Sequence, residues 1–296
     1  MLDYKLIEAL AKVLECGGFE RAAQVLCITQ SAISQRIRLL EERSGQILLS
    51  RTTPPQPTAA GRSLLKHYQQ VRLLEEGLAA ELRAEPAVGP TTLAIGINAD
   101  SLASWFFAAI KPLLLNAELL LDLRIDDQEQ THRYLREGEV VGCISTEATA
   151  MQGCRVELLG GMLYRLLATP AFADRWFPDG VTLAAAESAP AVIFNHKDRL
   201  HQRFFQQAIS GFPHRWPAHY VPAPEQFLQA ITDGYAYGMV PDWQSAGLRQ
   251  AGELVELVSN CEFVVELYWH CWNLDSAPLR SFSQQLVTSA RRMLAL

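Results

Sequence analysis

Apolar positions near the start of the chain recur at helical spacing. Leu6, Leu10 and Val13 fall at i, i+4 and i+7, and Ile33, Ile37 and Leu40 do the same. Each set makes one stripe on one helix face and predicts burial against a common core. The opposite face of the second helix is polar. Ser31, Ser34, Gln35 and Arg38 fall there at i, i+3, i+4 and i+7. Thr29 carries the hydroxyl of an N-cap, which leaves Gln30 and Ser31 in the first turn. Ala22 and Ala23 are small enough to let two helices cross closely. Ile47-Leu48-Leu49-Ser50-Arg51 is β-prone, and Pro54, Pro55 and Pro57 exclude helix in the stretch that follows. A short hairpin with Arg51 near its tip is predicted. A third run of Leu64, Tyr68, Val71, Leu74, Leu78 and Leu82 predicts a helix over 58–84, capped by Thr58. It spans about 40 Å. So long a one-sided stripe calls for a partner, and the same helix of a second copy is the simplest. Glu85-Pro86-Ala87-Val88-Gly89-Pro90 then breaks the helix and marks a hinge.

From residue 91 the pattern changes to alternating strands and helices. Strands are predicted over 92–97, 119–125, 140–145, 163–169, 191–195, 218–221, 237–240 and 263–272. Helices are predicted over 102–115, 129–137, 200–209, 224–233, 243–250 and 277–294. Such alternation implies parallel sheet with helical crossovers. The strand at 263–272 returns the chain to the first of two lobes. The expected architecture is α+β and multidomain. A head occupies residues 1–58, a linker helix with its hinge 59–90, and a two-lobed α/β domain 91–296. Lobe I is expected at about 91–162 and 267–296, and lobe II at about 163–266.

Composition narrows the function. The chain has 296 residues, with 26 Lys+Arg against 32 Asp+Glu. Residues 1–62 carry a net charge of +2 and the remainder −8. A mildly basic head on an acidic body suits a protein that touches DNA at one end only, and does not suit one that coats nucleic acid. No apolar stretch is long enough to span a membrane, and the first residues lack a signal-peptide pattern, so a cytoplasmic protein is expected. The six cysteines show no C-x-x-C spacing and read as free thiols in a reducing compartment. No metal-ligand spacing, nucleophile–base pair or phosphate loop is present, which argues against an enzyme, a metal site and a cofactor.

The polar face of residues 30–38 has the chemistry for a major groove. Short hydroxyls and amides allow close approach to base edges, and Arg36 and Arg38 reach guanine or phosphate. The hairpin ending at Pro57 becomes a wing, with Arg51 aimed at a neighbouring groove or phosphate. Phe19-x-x-Ala22-Ala23-x-x-Leu26, Thr29-Gln30-Ser31-Ala32-Ile33-Ser34-x-x-Ile37-x-x-Leu40-Glu41, Leu49-x-x-Arg51 and Pro57-Thr58-x-x-Gly61 resemble the N-terminal module of LysR-type transcriptional regulators. The resemblance implies a winged helix-turn-helix, a dimerising linker helix and a C-terminal effector domain similar to periplasmic binding proteins. It also implies an inverted-repeat DNA operator, tetramers and contact with RNA polymerase.

In folds of that kind, ligands sit where strand ends meet helix N-termini. This selects Asp100 and Ser101 after the first strand, and Asp126 and Asp127 after the second. Ser145 and Thr146 follow the third, and Phe194-Asn195-His196-Lys197-Asp198, with Phe194 and His196 foremost, ends a strand of the other lobe. Hydroxyls and amides suit a carboxylate, and the aspartates an ammonium. Asn98-Ala99-Asp100-Ser101-Leu102-Ala103-x-Trp105, Arg136-x-Gly138-Glu139-Val140-Val141-Gly142, Phe194-x-His196-x-Asp198 and Tyr268-Trp269-His270 further resemble the ArgP branch of the family. That resemblance implies a lysine or arginine effector and control of amino-acid export or metabolism genes. A LysR-type regulator of another metabolite is the alternative. A solute-binding protein is the weaker rival, since residues 1–62 would then lack a purpose.

Overall fold

The computed structural model describes residues 2–50, 52–82, 91–116, 119–126, 131–259 and 261–294. The head opens with α1 (Tyr4–Glu15), α2 (Phe19–Val25) and α3 (Gln30–Ser44). Their apolar stripes meet as the periodicity requires. Leu6, Leu10, Val13, Ala22, Ala23, Ile33, Ile37 and Leu40 lie in one buried cluster. Asp3 caps α1 through Lys5 N, and Thr29 caps α3 through Ala32 N. Two short strands, β1 (Leu49–Ser50) and β2 (Gln56–Pro57), pair antiparallel as the predicted wing. Arg51, expected at its tip, lies outside the described residues.

The linker helix α4 (Ala59–Leu82) starts at Thr58, whose hydroxyl accepts from Gly61 N and donates to Ile47 O. Gly61 faces the backbone of the wing, and a Cβ there would lie 2.2 Å from Leu48 O. The predicted one-sided stripe divides in the fold. Leu64 and Tyr68 pack on the head cluster, while Leu73, which is not in that stripe, joins the core of the α/β domain. Leu74, Leu78 and Leu82 stay exposed. A side-by-side helix partner therefore has only the second half of α4 to cover. The middle of α4 rests on the α/β domain, where Lys66 donates to Arg136 O at 3.4 Å.

That domain begins with β3 (Thr91–Asn98), α5 (Ala99–Ala103), α6 (Phe106–Leu115), β4 (Leu119–Asp126), α7 (Thr131–Glu137) and β5 (Gly142–Ser145). β3 is parallel to β4 and to β5. The single helix expected over 102–115 is two. α5 begins directly after β3, and the chain turns at Ser104 so that Trp105 can be fully buried. Ser104 Oγ donates back to Asp100 O. The long strand β6 (Cys154–Ala168) follows, then α8 (Pro170–Trp176), α9 (Leu183–Ala186), β7 (Ala191–Ile193) and α10 (Leu200–Ala208). β8 (Ala218–Tyr220), α11 (Pro224–Thr232), β9 (Gly238–Pro241), α12 (Asp242–Gln250) and β10 (Val255–Glu256) complete the second lobe. β11 (Phe263–Trp272) and α13 (Ala277–Met293) close the chain.

β6 and β11 pair antiparallel along their lengths and belong to both lobes. Residues 154–158 pair with 268–272 in the first lobe, and 160–164 with 263–267 toward the second. The register shifts between Leu267 and Tyr268, opposite Gly160 at φ 139°. The strand expected only over 163–169 thus starts nine residues earlier. Two glycines at 160 and 161 weaken its local signal, and tertiary pairing supplies what propensity lacks. The helices α8 and α9 add to the expected order. In the second lobe, Arg165 of β6 bonds Asp242 (2.6 Å) and Glu256 (2.9 Å), and Arg249 bonds the same two carboxylates. This closed ring ties α12 and β10 to the shared strand.

Substituting Gly61→Ala forces the start of α4 away from the wing. The expected result is a loss of about 1–3 kcal/mol, read as a lower denaturant midpoint with an unchanged slope.

Candidate functional site

Two regions carry the predicted chemistry. On α3, Ile33, Ile37 and Leu40 are buried, while Gln30, Ser31, Ser34, Gln35 and Arg38 are exposed and Arg36 is half-buried. Thr29 sits at the leading end with its hydroxyl 2.9 Å from Ser31 Oγ. The turn before it is tight because Cys27 adopts φ +52° and Ile28 N returns to Ala23 O. Arg38 pairs with Glu42 at 2.9 Å, with both side chains largely in solvent. An exposed i,i+4 pair contributes about 0.3–0.5 kcal/mol and yields easily to a phosphate or base. Glu41 looks the other way. Its Oε1 accepts from Leu48 N (2.8 Å) and Leu49 N (3.4 Å), fastening the wing to α3. Pro57 lies in β2, half-buried, and its carbonyl accepts from Arg62. The helix face and the wing are thus held as one surface. Glu41 is the tether that helical spacing alone did not identify, because its role depends on where the chain returns.

The second region is a cleft between the lobes. Asn98, Ala99, Asp100 and Thr146 line it from the first lobe. Phe194, Lys197, Asp198, Arg199, Leu200 and Arg203 line it from the second. It offers about 60 Å³ to the centres of water-sized molecules, against the roughly 10–15 Å³ that one water needs. Asp198 shapes the second wall. Its carboxylate accepts from Phe194 N and Leu200 N, while Asn195 Oδ1 accepts from Lys197 N and Asp198 N. These bonds fold 194–200 into a turn that presents cationic residues to the cleft.

Polar groups in the first wall lack partners. Both amide atoms of Asn98 and the Ser101 hydroxyl are buried without a hydrogen bond in the protein. Each such group costs roughly 1–3 kcal/mol unless something satisfies it. Asp100 is partnered: Tyr164 Oη donates to its Oδ2 at 2.7 Å. Burial nevertheless raises the Asp100 pKa to about 6, assisted by Asp198 and opposed by the Tyr164 bond. His201, on α10 of the second lobe, is buried. Its Nε2 accepts from Met239 N, and burial lowers its pKa to about 4, so it is neutral.

Of the predicted ligand residues, Asp100, Thr146 and Phe194 line the cleft together. Ser101 is buried in α5, and Ser145 is buried with its hydroxyl accepting from Glu147 N. Asp126 ends β4, in register with Asn98. Asp127 lies outside the described residues. His196 is not brought into the lining: it is exposed, and its ring lies 3.8 Å from that of Tyr220. The Asx-type turn at 195–198 directs it outward. Lys197 and Asp198 belong to the strand end at 194–198 that the sequence selects and do line the cleft, whereas Arg199, Arg203 and Tyr164 were not anticipated. The four charged residues from 197 to 203 cluster around one helix start, a signal local sequence does contain. Tyr164 carries no local signal, being 64 residues from Asp100.

Comparison with known proteins gives a consistent picture. The family profile described as bacterial regulatory helix-turn-helix protein, lysR family, matches residues 4–62. The chain is 45% identical over 293 residues to HTH-type transcriptional regulator ArgP of Pseudomonas aeruginosa, covering 98% of this chain and 96% of that protein. The crystal structure of ArgP from Mycobacterium tuberculosis superposes with a TM-score of 0.88 at 38% identity, covering 100% of this chain and 99% of that one. Full-length LysG from Corynebacterium glutamicum with bound effector Arg superposes at 0.77 with 32% identity, covering 100% of both chains.

Glu41→Ala removes the wing tether. Hydrogen bonds to a charged acceptor contribute about 1.5–3 kcal/mol, so the melting temperature of the protein is expected to fall by several degrees. Glu41→Gln, which keeps one acceptor oxygen, is expected to recover part of that loss.

Proposed function

Because the chain belongs to the LysR family of bacterial transcriptional regulators, in its ArgP-type branch, and is a regulator rather than an enzyme, we propose that it reads an operator through α3 and the wing while a basic amino acid occupies the interlobe cleft. The reading rests on one observation above all. The interlobe cleft brings together the unpartnered amide of Asn98, two carboxylates and three cationic side chains. A lysine or arginine molecule carries the complementary set. Its carboxylate suits Lys197, Arg199 and Arg203, and its two cationic groups suit Asp100 and Asp198. LysG, at 32% identity, is a relative with arginine as its bound effector.

The polar face of α3 enters the major groove of a double-stranded operator. Gln30, Ser31, Ser34, Gln35, Arg36 and Arg38 approach bases or phosphates, Thr29 sets the leading end, and the wing from Arg51 to Pro57 meets the neighbouring backbone. Two copies pair through the exposed Leu74, Leu78 and Leu82 of α4, and the α/β domains pair again in a tetramer. Effector binding favours one arrangement of the lobes over another and so changes the spacing of the heads. That alters contact with RNA polymerase at genes of amino-acid export or metabolism, in the cytoplasm. No helix among the described residues is long and apolar enough to cross a membrane.

Calorimetric titration with lysine, arginine and leucine tests the effector. Binding of the two basic amino acids alone is expected. Binding of none of them would favour a regulator of another metabolite. For the DNA surface, Ser34→Ala and Arg36→Ala are expected to weaken operator binding, Arg36→Ala by about tenfold or more. Melting temperatures should remain those of the wild type. Unchanged operator affinity in both variants would remove α3 from the groove.

A further inference from the structure

Asp100 reaches out of its own lobe. On one side it faces the cleft with Lys197, Asp198, Arg199 and Arg203. On the other it meets Phe194, Pro224, Phe227, Met239, Pro241 and Gln244, none of them ionisable. Desolvation by these second-lobe groups disfavours its charge. Tyr164 opposes that effect with a charge-assisted bond. The phenol is fully buried, and its backbone is fixed on both sides, pairing with Phe263 of β11 and Pro241 of β9.

We propose that Tyr164 is the positioning residue of the cleft: it clasps the Asp100 carboxylate across the lobe boundary, fixes which oxygen faces the ligand, and thereby sets the preference for a cationic effector. This rests on the effector reading above. One carboxylate oxygen is committed to Tyr164, and the other is left for an ammonium or guanidinium. A neutral side chain at that point would bury the free oxygen without a partner, which is how a site built on polar pairing rejects an apolar analogue.

The sign of the pH dependence follows. A cation binds ionised Asp100, so affinity is low where the acid is protonated and rises with pH through its pKa, which burial places at about 6. His201 is held neutral with its pKa near 4 and does not titrate in that window. Removing the phenol donor destabilises the carboxylate and moves the rise to higher pH.

The experiment is calorimetric titration of the full chain with L-lysine between about pH 5 and about pH 8. The wild type is compared with Tyr164→Phe, which keeps the ring volume. The expected result is about tenfold weaker binding near neutrality, with the gap narrowing toward the alkaline end. A loss that is equal at every pH, or no loss, would overturn the proposal while leaving the effector reading intact. Asp100→Asn should abolish the inflection altogether, and an inflection that persists there would also overturn it. If wild-type protein binds no basic amino acid, the effector reading fails by itself. The Asp100 titration, followed by its isotope-labelled carboxyl carbon in unliganded protein, then decides. An upward shift in Tyr164→Phe sustains the clasp, and an unmoved titration overturns it.

Discussion

A carboxylate buried between two lobes can remain charged only if protein donors replace the water it has lost. Asp100 is in that position, and the surrounding architecture answers to it. β3 delivers it to the first turn of α5, and β6 supplies the phenol that meets it. The opposite wall is cationic because the turn at 195–198 is tied by its own carboxylate and amide. A cleft of this kind resists emptiness. Its unpaired Asn98 amide remains an unfavourable burial until a polar ligand satisfies it.

The cleft sits on a sheet that both lobes share. β6 and β11 run through both lobes as one antiparallel pair, so the hinge is made of strand and not of loose loop. Gly160 and the register shift beside Leu267 are where that pair departs from regular pleating. A bulge increases local twist and bends a strand without ending it. On the far side of the first lobe, α7 ends against the linker helix. A Cβ at Gly138 would lie 2.5 Å from Lys66 Cβ, so the two backbones approach as nearly as they can. The cleft and α4 are therefore attached to the same packed lobe.

Much was legible from residue pattern. The apolar stripes of α1 and α3 are buried as their spacing requires, and the polar stripe of α3 is exposed. Most strands and helices beyond residue 91 lie within a few residues of their expected positions. The errors have physical causes. The helix over 102–115 broke because Trp105 must be buried. The strand at 163–169 was too short because Gly160 and Gly161 mask a segment held by its neighbours. The single stripe of α4 is divided between the head core and solvent, because helical spacing reports a face and not what covers it. His196 was placed in the cleft by its position after a strand, yet the turn carries its ring outward to Tyr220.

Periodicity, capping residues and local charge determined the elements, the exposed polar side of α3 and most of the strand ends that border the cleft. Those properties depend on residues a few positions apart, so they are written in the chain. The clasp between Tyr164 and Asp100, the tether from Glu41 to the wing, and the four-membered charge ring of Arg165, Asp242, Arg249 and Glu256 were decided only by the tertiary structure. Each joins groups distant in sequence, and a side chain's partner is set by the path of the intervening backbone, which no local spacing records.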